Sequence, residues 1–69
     1  MALSKIEQLL IDGLKICQLR RGNIILAMFL MDTDEKRWDL INFLEKILLS
    51  EEQISEDDIM NEVQRIART

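Results

Sequence analysis

The side chains able to do chemistry in this chain are few. Cys17 is its only thiol, and it has no His and no Tyr. Cys17 falls in the middle of an apolar helical stripe, whereas a nucleophilic thiol wants exposure and an electropositive setting. A packing role suits it better. A zinc site needs four N or S ligands, and here there is no second Cys and no His to supply them. The tightest carboxylate group is Asp32, Asp34 and Glu35. A general acid/base pair needs a pocket that shifts a pKa, and a few short helices offer little room for one.

Asp32 and Asp34 also have the spacing of the first two ligands of a helix–loop–helix calcium site. The pattern then fails, because Lys36 and Arg37 stand where a further ligand and the turn glycine belong. The acidic run of Glu51, Glu52, Glu56, Asp57 and Asp58 has no ligand spacing and reads as a solvated face. An acyl carrier would need a serine in an Asp-Ser-Leu context, and Ser4, Ser50 and Ser55 all lie elsewhere. No cofactor or metal is implied, and the chain reads as a non-enzyme.

The basic residues raise one further possibility. Arg20 and Arg21, with Lys36 and Arg37, would make a basic patch if the end of the first helix lay near the start of the helix at Asp34. A helix–turn–helix reader lines basic and amide side chains along one exposed face, and no segment here does so. The chain carries net charge −4, which on average repels phosphates. Nucleic-acid binding is therefore the second choice. The charge is uneven: residues 1–31 sum to +2 and residues 32–69 to −6. That polarity suits head-to-tail or antiparallel pairing.

The elements that position these groups are helical. The 69 residues include no Pro and only Gly13 and Gly22, too few turn formers for a strand-rich fold. Ser4 with Glu7 has capping-box spacing and predicts a first helix over about 4–21. Leu3, Ile6, Leu10, Gly13, Leu14 and Cys17 share its main face. Leu9 and Ile16 form a lesser stripe, as if the helix touched two neighbours. Arg20 and Arg21 then complement the macrodipole of its last turn, and Gly22 serves as the C′ residue.

Ile24 to Met31 is an unbroken apolar run. As a helix it would be apolar all round, which is the signature of full burial. A second helix over about 23–49 follows, bent or broken at 32–34, where Asp32 and Glu35 have capping-box spacing. Its later part puts Leu40, Ile41, Leu44, Ile47 and Leu48 on one face and leaves the ring of Trp38 partly exposed. Ser50, Gln53 and their apolar neighbours suggest a short helical turn over 50–55. The last helix, over about 55–68, has Ser55 as N-cap, Asp58 at N3, and Ile54 packed on Ile59. Its stripe is Ile59, Met60, Val63, Ile66 and Ala67.

The expected fold is thus all-α, a single small bundle of three to four helices. A chain this short buries only about 60% of its unfolded surface, yet it carries ten Ile, eleven Leu and four Met. Small scaffolds need a staple, and with disulfide and metal absent the expected one is a second copy. The symmetric dimer is the commonest closed assembly. The expected contact residues are Ile24, Ile25, Met28, Phe29, Met31 and Trp38, with Ile24–Met31 as a central helix lacking any wet side. On that expectation Phe29→Lys leaves a largely unfolded monomer. Another protein is the alternative occupant. The apolar run is too short to span a bilayer, the N-terminus lacks a secretory pattern, and a lone Cys suits the cytoplasm. The functional expectation is a non-enzymatic adaptor, regulator or inhibitor acting through helical surfaces. No motif is specific enough to assign a family.

Overall fold

A computed structural model describes residues 2–69. It contains four helices and, among the described residues, no strand: α1 Lys5–Ile16, α2 Arg21–Leu30, α3 Asp34–Ser50 and α4 Glu56–Ala67. The all-α expectation holds, with four helices as the count.

Capping sets most of the boundaries. Ser4 Oγ accepts the Glu7 N–H, and Glu7 returns its carboxylate to the Ser4 N–H, completing a capping box. Thr33, rather than Asp32, caps α3 by accepting the Lys36 N–H at 3.2 Å. Ser55 caps α4 by accepting the Asp58 N–H at 3.1 Å. Glu56, Asp57 and Asp58 then fill the positive first turn of α4, and Arg65 its negative last turn.

The first helix stops five residues earlier than its sequence suggests. The Gln18 N–H bonds the Lys15 carbonyl and the Leu19 N–H bonds the Leu14 carbonyl, which is the Schellman arrangement. Leu14 and Leu19, the pair that such a motif brings together, are both buried. The left-handed residue is Gln18, at φ 63°, and not Gly22. Gly22 lies inside the first turn of α2, with open space around it. Arg20 and Arg21 therefore open the second helix instead of closing the first.

The segment expected as one helix over 23–49 is two, separated by residues 31–33. Residues 50–55 do not form a separate helical turn: α3 runs to Ser50, Glu51 turns left-handed at φ 56°, and the chain reaches Ser55 without helix.

The four helices are two helical hairpins laid side by side. α1 packs on α2 and α3, and α4 packs on α2 and α3, while α2 and α3 do not meet. The hairpins run in register. Gly13 of α1 abuts Leu44 of α3, and Cys17 and Gln18 share a cleft with Ile47 and Leu48, so α1 and α3 run in the same direction. Glu56 joins the starts of α2 and α4, and Leu26 and Leu30 share a cleft with Gln64 and Ala67 near their ends, so these two also run together.

One core fills the middle. Leu10, Leu14, Met31, Leu40, Leu44, Ile59, Val63 and Ile66 are its largest fully enclosed side chains. Ala27 is the one residue of α2 itself that is fully buried. The Cα radius of gyration is 11.0 Å, about that of a compact domain of this length. The chain thus encloses a core without a second copy.

Candidate interaction surfaces

The apolar run at 24–31 is not a central helix. α2 lies at the periphery, and its outer side faces away from the bundle. Ile25 is 60% exposed and Phe29 79%, with Leu26 beside them. Ile24 and Met28 are half-buried against the core, and Met31 is wholly inside it. The expected contact residues therefore divide. Ile25 and Phe29 remain on a surface, Ile24 and Met28 line its inner edge, and Met31 belongs to the chain's own core. Trp38 is half-exposed on α3, which does not touch α2, so it lies outside this strip. The segment does have a wet side, because a ten-residue helix in a two-neighbour position can bury little more than half of its circumference. Leu26, which the sequence reading left out, joins the strip. Its spacing of three from Phe29 is the signal that would have found it.

The start of α2 is held from another helix. Arg20 at the N-cap has no side-chain cap of its own. The Glu56 carboxylate of α4 accepts the Arg20 backbone N–H at 2.8 Å and the Asn23 side-chain amide at 2.5 Å. It thereby does what a Glu at N3 does in a capping box. Glu56 is also the first residue of α4, so the positive ends of two helices meet at one carboxylate. The Arg20 N–H holds its carboxyl below the ordinary value, followed by the Asn23 amide and the Arg20 charge. Nothing in the local sequence of α2 announces this contact.

The four basic residues weighed for nucleic acid do not form one patch. Arg20 and Arg21 lie beside the start of α4, and Lys36 donates to the carbonyl of Ala67 at its end. The two pairs are therefore roughly 17 Å apart along α4. Lys36 also pairs with Asp32 at 3.4 Å, and Arg37 with Asp34 at 2.7 Å. Both of these side chains are largely covered, and the Arg37 Nε is buried without a partner. Neither is displayed for a phosphate.

Cys17 is half-buried beside the core, and desolvation raises its pKa. That is the reverse of what an activated thiol needs. Among the described residues no group of three His, Cys, Asp or Glu side chains converges on a possible metal position. Among them, too, no helix is long and apolar enough to cross a membrane.

A second apolar surface lies on the opposite side of α1. α1 does touch two neighbours, α2 and α3, but Leu9 and Ile16, its lesser stripe, stay exposed at the edge of the contact with α3. With Leu48 they border a groove between α1 and α3. No family model, no curated protein and no solved structure matches the chain.

Proposed function

We propose that this protein is a small non-enzymatic interaction module, an adaptor, regulator or inhibitor, that self-associates as a symmetric homodimer through the outer face of α2. The observation that carries the reading is the strip of Ile25, Leu26 and Phe29, left uncovered on a chain that already encloses its own core. Exposed apolar strips of this kind mark association surfaces.

Charge supports antiparallel pairing. α2 has no acidic residue in its first turn and no basic residue in its last. Arg20 and Arg21 stand at its positive end, and Asp32 and Asp34 follow its negative end. This is the layout the macrodipole disfavours. Two α2 helices crossing antiparallel bring Arg21 of each copy toward the negative helix end of the other, where Asp32 and Asp34 already pair with Lys36 and Arg37 of their own chain. A face of ten residues covers less than the roughly 800 Å² per partner of a standard stable complex, so the dimer is weak and concentration-dependent. The cytoplasm is the proposed compartment, since a single unpaired thiol fits a reducing setting.

The test is absolute mass by size-exclusion chromatography with light scattering over a concentration series. The expected result is a shift from 8.1 kDa toward twice that mass, abolished by Phe29→Lys. Because Phe29 is mostly exposed, the variant remains helical. This replaces the unfolded monomer expected with Phe29 in a central helix. A wild-type chain that stays monomeric at high concentration would overturn the dimer.

A further inference from the structure

The groove between α1 and α3 encloses about 180 Å³. Gly13 and Leu44 form its floor, Leu9, Ile16 and Leu48 its walls, and Asp12 and Glu45 its rims. The two helices approach closely at Gly13, where Leu44 packs against the bare backbone; a Cβ at that point would lie 3.3 Å from Leu44 Cδ1. The volume falls below the roughly 300–1,000 Å³ of small-molecule sites and suits one inserted side chain.

The lining of the groove is acidic: it includes two carboxylates and no Lys or Arg. α1 and α3 run in the same direction, so the negative ends of both macrodipoles lie at one end of the groove. Glu51 and Glu52 follow α3 there, and α3 has no basic residue in its last turn. Lys15 of α1 is the one cation in the last turn of either helix. Arg20 and Arg21 follow at that end, where Arg20 is met by Glu56 and acidic Asp57 and Asp58 adjoin it.

We infer that this groove takes an amphipathic helix from another protein, lying antiparallel to α1 and α3. Such a helix carries Lys or Arg in its N-terminal turns and seats one large apolar side chain over Gly13. Two adjacent helices offer a ridge-and-groove seat for a third. The antiparallel direction brings the positive end of the guest helix, with its cations, to Asp12, Glu45 and the paired negative helix ends. A second copy is the poorer occupant. Its helix led by a pair of cations is α2, and seating α2 in the groove of the next molecule is a head-to-tail contact that propagates instead of closing as a pair. The inference rests on the reading as an interaction module but not on pairing through α2.

The probe is a synthetic amphipathic helical peptide of about 18 residues, with lysines in its first two turns and leucines along one face. Its control has the same composition with the lysines moved to the last two turns. Binding is followed by fluorescence anisotropy on the full chain, and again on Phe29→Lys, so that loss of α2 pairing and loss of groove binding read out separately. The first peptide is expected to bind both proteins alike and more tightly than the control. Asp12→Asn with Glu45→Gln weakens it by about tenfold and reduces its salt dependence. Ile16→Glu, at an exposed position, removes it. Equal affinity for both peptides, no binding of the first, or binding indifferent to the two neutralised rims would each overturn the inference. So would scattering mass that grows without limit with concentration and is stopped by either Phe29→Lys or Ile16→Glu, which would give the groove to a second copy.

Discussion

Gly13→Ala tests how the two hairpins meet. Gly13 sits inside α1, where replacing Gly by Ala gains about 0.8–1 kcal/mol in helix propensity. Against that gain stands one contact: the new methyl would lie 3.3 Å from Leu44 Cδ1, so the Leu44 side chain must retreat by a few tenths of an ångström. Leu44 is buried, but its terminal methyl borders the α1–α3 groove and has empty space to move into. A modest rotamer displacement costs about 0.5 kcal/mol. The balance is a stabilisation of about 0.5 kcal/mol, or roughly 2–4 °C in Tm for a chain of this size. Thermal and urea unfolding followed by far-UV circular dichroism measure it. Gly13→Leu provides the contrast, since overpacking at the same point costs about 1–3 kcal/mol. A loss of about 1 kcal/mol in the alanine variant would refute the reasoning, because it would mean that Leu44 cannot use the groove.

Two further predictions concern titration. The Glu56 carboxyl is held below its ordinary value of 4.5, chiefly by the Arg20 N–H, and the Glu7 carboxyl likewise by the Ser4 N–H. For a depressed folded-state pKa the unfolded chain binds the proton first, so the stabilisation is present above 4.5 and drains away as pH falls below it. Glu56→Gln should unfold more easily at neutral pH and show a shallower loss of stability under acid; equal acid slopes for variant and parent would refute the cross-helix cap. Cys17, raised by desolvation, should react with an aromatic disulfide at about pH 8 more slowly than the same thiol in the urea-unfolded chain. Equal rates would show that the thiol is not sheltered in the fold.

Much of the local structure was legible along the chain. Ser4 with Glu7, and Ser55 with Asp58, mark helix starts because a cap is a contact between residues three apart. The stripes of α1 and α4 likewise announce their buried faces: Leu10, Leu14, Ile59, Met60, Val63 and Ile66 are all buried. The trouble lies where two signals compete. Gly22 looked like the stop for α1, but the Leu14–Leu19 pairing stops it earlier, with Gln18 accepting the left-handed conformation that glycine adopts more easily.

The position of α2 was beyond local pattern. An apolar run around a whole helix is compatible with burial on every side, and equally with burial on one side and display on the other. Only the packing decides, and here α2 meets α1 and α4 but not α3, so Phe29 and Ile25 face outward. The candidate surfaces share this dependence. Leu9, Ile16 and Leu48 become one groove because α1 and α3 run side by side, and Arg20, Asn23 and Glu56 become one cap because α2 and α4 start together. Sequence determined that this chain is helical and where most of its helices begin, because those choices are made within a turn or two of backbone. Tertiary structure alone decided which apolar faces are enclosed and which carboxylate meets which helix end, because those depend on contacts between residues far apart along the chain, such as the 36-residue separation of Arg20 and Glu56.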